Sequence, residues 1–137
     1  MVKTEIINTG DIIHALVVHL SEPLPTESTF FTPMNYYLQI GVLAHPEGYS
    51  EKAHYHKENQ RMITGADQML YLIKGDLDVD FFDLKGNLIK TYTLNVGDII
   101  LLKNWPHRIR VKGDSVAITA KLGPYRGEKE DKVEVSE

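Results

Sequence analysis

The chain has no cysteine. That removes disulfides, thiolate nucleophiles and cysteine-based zinc sites from consideration. Long hydrophobic runs are also missing: the longest, such as Ala15–Val18 and Ile99–Leu102, fall far short of the ~20 residues a membrane helix needs. The opening Met1-Val2-Lys3-Thr4-Glu5 lacks a basic-then-apolar leader pattern, so a cytoplasmic location is the expectation. Neither sign of charge dominates. With 15 Lys and Arg against 19 Asp and Glu, the net charge is -4 and no basic face is evident, so neither nucleic acid nor a membrane is an expected partner. There is no Ser/His/Asp pattern, no glycine-rich phosphate loop and no hydrophobic heptad.

Short alternating and β-branched runs are abundant. Strands are expected over residues 3–8, 12–20, 36–45, 69–74, 77–84, 88–94, 99–103, 108–111 and 115–122, with 53–56 extended as well. Turn signals separate them: Asn8-Thr9-Gly10-Asp11, Gly75-Asp76, Asp83-Leu84-Lys85-Gly86-Asn87, Asn95-Val96-Gly97-Asp98 and Lys112-Gly113-Asp114. Residues 21–33, with Pro23, Pro25 and Pro33, read as a surface loop, and Gly41 as a bulge or a close approach of backbones. In 77–82, Leu77, Val79 and Phe81 alternate with Asp78 and Asp80, predicting one buried and one wetter face. Lys103, Arg108, Arg110, Lys112 and Lys121 gather late in the chain; a solvated, pairing-resistant edge explains them, an anion-binding surface being the minority reading. At 137 residues this is one all-β domain, a sandwich or barrel over residues 1–122, followed by a charged tail at 123–137.

The chemistry concentrates at His54-Tyr55-His56. On an extended chain residues i and i+2 share a face, with backbones roughly 6.5–7 Å apart, so both imidazoles can turn to one metal ion. On a helix the same pair would diverge by about 200°. A third histidine from a distant strand, such as His107, would complete a facial set. His14 and His19 are better read as surface or core residues than as ligands, and His45 as a turn residue before Pro46.

The spacing around these histidines resembles the cupin superfamily. Gly48-x5-His54-x-His56 and Gln68-x6-Gly75 follow the first motif, G-x5-H-x-H-x3,4-E-x6-G, and Gly97-Asp98 through Trp105-Pro106-His107 follows the second, G-x5-P-x-G-x2-H-x3-N. Gln68 stands where the family has Glu, eleven residues separate it from His56, the second motif is one residue short, and Val111 occupies the Asn position. The series His56-x4-Arg61-x6-Gln68-x6-Gly75, with Lys121-x-Gly123-Pro124-Tyr125 and Asp131-Lys132, is similar to small cupins of surface-polysaccharide and nucleotide-sugar gene neighbourhoods. The resemblance implies a double-stranded β-helix (jelly roll) and a homodimer. It implies one divalent metal, Zn, Ni, Fe or Mn, on His54, His56, Gln68 and His107, with Arg61, Tyr71 and Trp105 available to a small polar, carbohydrate-like ligand. The implied activities are an isomerase or epimerase, a metal-dependent dioxygenase, or ligand binding without turnover. Because His and Gln are neutral ligands, the ion would keep its full charge and favour an anionic ligand or hydroxide.

Overall fold

A computed structural model describes residues 2–136. Ten strands form: β1 (Val2–Thr9), β2 (Ile12–Leu20), β3 (Thr29–Phe30), β4 (Gly41–Val42), β5 (Gln68–Lys74), β6 (Leu77–Phe82), β7 (Leu88–Leu94), β8 (Ile99–Leu102), β9 (His107–Val111) and β10 (Val116–Lys121). Strands take 41% of the chain, and the one helix, α1 (Glu128–Asp131), is a single turn, so the fold is mostly β. All pairings are antiparallel, in sheets ordered β1-β2-β8-β5-β10, β7-β6-β9 and β3-β4. No closed barrel links them among the described residues.

The core lies between the five-stranded and three-stranded sheets. Alternate residues of a strand share a face, so Ala15 and Val17 of β2 join Leu70 and Leu72 of β5 and Ile100 and Leu102 of β8. Val79 and Phe81 of β6 and Leu94 of β7 close over them. On the other side of the large sheet, Leu16, Val18 and Leu101 are covered by Phe31, Tyr36, Leu38 and Ile40 from the irregular segment ahead of β4.

Two turn glycines show why their spacing matters. Gly75 adopts φ +100 between β5 and β6, and a Cβ there would run into the Ser115 hydroxyl and the Asp114 carbonyl. Gly41 lies against β3, where a Cβ would meet the Thr29 carbonyl at 2.5 Å; the close approach expected at this glycine is present.

Three expectations need correction. Residues 36–45 do not form a long strand; only Gly41–Val42 pairs, and β3 forms inside the expected proline-rich loop. Residues 53–56 belong to no strand: the stretch between β4 and β5 is irregular and almost wholly exposed. Nor does β6 have a wet face, since all its residues are buried, Asp78 at 7% and Asp80 at 1% exposure. The physical reason lies on the flanking strands. Asp80 accepts hydrogen bonds from Thr91 of β7 (2.7 Å) and from Arg110 Nε (2.6 Å), Arg110 Nη2 (2.9 Å) and Arg108 Nε (3.0 Å) of β9. Asp78 accepts from Thr93 at 2.7 Å and pairs with Lys112 at 3.1 Å. Within the basic run, Arg108, Arg110 and Lys112 are therefore the counter-charge of β6 rather than a merely solvated edge.

Of the two readings open for His14, surface or core, the structure shows the core. His14 is 1% exposed, lies tilted against Phe81 and edge-on to Trp105, and holds the Thr9 hydroxyl through Nε2 at 2.9 Å, while Nδ1 has no hydrogen-bond partner. Burial pushes its pKa down, so the folded state keeps it neutral. The unfolded chain takes up a proton near pH 6.5 that the folded chain resists, and stability falls as pH drops below that value. His14→Leu should flatten this limb. Urea midpoints between pH 7 and 5 should converge on, then pass, those of wild type; parallel curves would contradict the assignment.

Candidate metal centre

His54 and His56 lie together on the exposed segment between β4 and β5, ring centroids 5.4 Å apart and nearly perpendicular at 81°. His107 opens β9 opposite Phe81 of β6, and β9 is an edge of its sheet. Gln68 opens β5 between Leu102 of β8 and Lys121 of β10, and its amide nitrogen donates to the Thr119 hydroxyl at 3.0 Å. Among the described residues, no three His, Cys, Asp or Glu side chains converge within reach of one ion. The two histidines of the short motif are thus side by side, while His107 stands apart from them on the sheet.

The ring nitrogens carry more information than the separation. His54 Nδ1 lies 2.7 Å from the Lys52 carbonyl, and His107 Nδ1 lies 2.8 Å from the Trp105 carbonyl. A carbonyl only accepts, so each Nδ1 carries its proton and donates it. In the neutral ring this leaves the Nε2 lone pair available, the arrangement in which a backbone carbonyl fixes the tautomer of a metal-ligating histidine. Both contacts run from residue i to the carbonyl of i−2. His54 Nε2 also has the Glu51 carboxylate at 3.9 Å, a neighbour that the sequence pattern did not single out. In both histidines the free Nε2 is a donor of the kind a borderline divalent ion accepts.

The residues expected to meet a ligand are dispersed. Arg61 lines a shallow groove with Met34, Tyr36, Tyr37, Gln39 and Met62, at the base of the same exposed segment. Tyr71 lies within β5 between Ile99 and Ile118, and Trp105 stands edge-on to His14. Beside the groove, Lys103 pairs with the buried Asp67 at 2.6 Å and lies 3.9 Å from the centre of the Tyr36 ring. Sequence reasoning missed this pair, because residues 36 apart carry no local pattern. The tail is tied down in part: Lys121 of β10 pairs with Asp131 of α1 at 3.1 Å and lies over the Tyr125 ring. Glu137, at the end expected to fray, lies outside the described residues. No helix is long and apolar enough to cross a membrane among the described residues. Set against known proteins, the chain matches no family model, no curated protein and no solved structure.

Proposed function

We propose that this protein is a small cupin-like metalloprotein that binds one divalent ion through His54, His56 and His107, with Gln68 as fourth ligand, and uses it to hold a small polar ligand. The observation that carries the reading is the matched tautomer of His54 and His107, each with Nδ1 tied to a carbonyl and Nε2 left as a lone pair. The unpaired edge of β9 supports it, since residues 53–56 laid along that edge would bring His54 and His56 to His107. The double-stranded β-helix belongs to the same proposal, because that pairing would extend the three-stranded sheet by the strand that the motif needs. When bound, the ion would polarise a carbonyl or a diol of the ligand. A carbohydrate-like ligand and isomerase or epimerase chemistry suit it best. Arg61 and the tyrosines of its groove would add charge and stacking surface for such a ligand. A homodimer fits the unpaired edges of β1, β9 and β10.

The test is metal titration against a competing chelator with Zn, Ni, Fe(II) and Mn. One ion per chain is expected. Gln68→Glu should raise affinity by about tenfold, because a carboxylate lowers the charge of an otherwise neutral ligand set. No binding of any of the four ions would remove the proposal, and an unchanged affinity in Gln68→Glu would remove Gln68 from it.

A further inference from the structure

A second cluster of ionisable groups lies at the rim of the core, contributed by residues outside the metal proposal. It joins β1, β2, β7 and the turn before β8. His19 Nδ1 lies 2.7 Å from Asp98 Oδ1, and His19 Nε2 lies 3.1 Å from the Tyr92 hydroxyl. The Tyr92 hydroxyl donates to Glu5 Oε2 at 3.0 Å, and that carboxylate is 3.6 Å from His19 Nε2. Asp98 is held by its own turn, where its second oxygen accepts from the Asn95 backbone N–H at 3.0 Å. Asp98 is 6% exposed, and His19 and Tyr92 are half-buried.

Counting protons decides the state of this cluster. Asp98 only accepts, so the 2.7 Å contact requires a proton on Nδ1. Tyr92 has one proton and gives it to Glu5, so its oxygen must accept from Nε2. All three contacts coexist only when His19 carries both ring protons. With a single ring proton, Nε2 becomes an acceptor, and the tyrosine proton must choose between His19 and Glu5. We propose that Asp98, His19, Tyr92 and Glu5 form a proton-dependent clasp that ties the N-terminal β1–β2 hairpin to the three-stranded sheet, closed when His19 is an imidazolium.

The surroundings agree. Tyr92 is the only member on the three-stranded sheet, while Glu5, His19 and Asp98 belong to the large sheet and its turn, so the contact crosses between layers. Burial, reinforced by the Glu5 hydrogen bond and charge, pushes the Tyr92 hydroxyl up, so it keeps the one proton that the contacts assign to it. The cations on the packed strands are Lys3, opposite His19 in the β1–β2 register, and Lys90, two residues from Tyr92; both are solvent-exposed. Closed, the imidazolium sits between two carboxylates; open, the ring is neutral and no longer balances their charge, which weakens the hold on β1.

A double-mutant cycle tests this in the full chain, with His19→Gln, Tyr92→Phe and the double variant compared with wild type by urea unfolding. At pH 5.5 the two sites should be coupled by roughly tenfold in the unfolding constant, falling to under about twofold at pH 8.5. The acid response of His14 is common to all four proteins and cancels. Equal coupling at both pH values, coupling only at pH 8.5, or none at either would overturn the proposal. Should the variants fold poorly, nitrogen NMR shifts of wild-type His19 give an independent reading. Both ring nitrogens protonated at pH 5.5, with Nε2 losing its proton first as pH rises, is the expected result; a neutral ring at pH 5.5 would overturn it.

Discussion

Replacing Asp80 with alanine should cost about 3 kcal/mol and lower the melting temperature by roughly 10 °C. The carboxylate is almost fully buried in the middle of β6 and accepts hydrogen bonds from Arg108, Arg110 and Thr91. Its removal leaves Arg110, whose Nε and Nη2 both turn to it, with only the longer contact to Asp78 at 3.4 Å, and breaks the charge ladder joining β9 to β6. The two arginines remain near 42–45% exposed, so water recovers part of their solvation and holds the loss well below that of an orphaned buried ion. Asp76→Ala is the control: its carboxylate is 53% exposed and 3.6 Å from Lys112, and its removal should change little. The pH dependence has a definite sign. Arg110 first, then Thr91 and Arg108, hold the Asp80 carboxyl far below the usual carboxylate range, against the opposing effect of burial. Its contribution is fully present above about pH 4 and is lost as pH falls toward the folded-state value, so the wild-type and Asp80→Ala unfolding curves should approach each other only in acid. A gap that stayed constant to pH 2 would contradict this account.

The second large effect concerns the histidines and appears only with metal. His54, His56 and His107 are all exposed, so converting any one to alanine should leave the melting temperature of metal-free protein nearly unchanged. With zinc at about 100 times the dissociation constant, wild type should gain about 2.7 kcal/mol. Each alanine variant should lose at least about 100-fold in affinity, and most of that gain with it. His45→Ala should behave as wild type, since its ring is stacked on Tyr49 at 3.9 Å between centroids. Variants stabilised by zinc as strongly as wild type would show that the ion binds elsewhere.

Eight of the ten strands were legible because alternation and turn glycines are local signals, and antiparallel neighbours follow from short turns such as Asp83–Asn87 and Gly10-Asp11. The stretch 36–45 was misread because Tyr36, Leu38 and Ile40 alternate like a strand. They pack as an irregular cover over Leu16, Val18 and Leu101 instead. Asp78 and Asp80 were read as wet because the argument stopped at their own strand. The matching period-two series Arg108, Arg110 and Lys112 was in the sequence, and pairing it against β6 would have found the ladder. Within the candidate site, the His54–His56 juxtaposition follows from a spacing of two and is present. The tautomers of His54 and His107 were beyond sequence reasoning, since they depend on where the Lys52 and Trp105 carbonyls point. The cluster at His19 was equally hidden: Glu5, His19 and Asp98 meet across neighbouring strands of the large sheet, and Tyr92 joins them only through the stacking of the two sheets.

The most direct test of the central claim is anomalous scattering from crystals grown with one equivalent of zinc. The proposal predicts a single peak per chain with the Nε2 atoms of His54, His56 and His107 at about 2.0–2.1 Å, residues 53–56 lying along β9, and Gln68 completing the set. A peak that lacked His107, or an ion held by other residues, would contradict it.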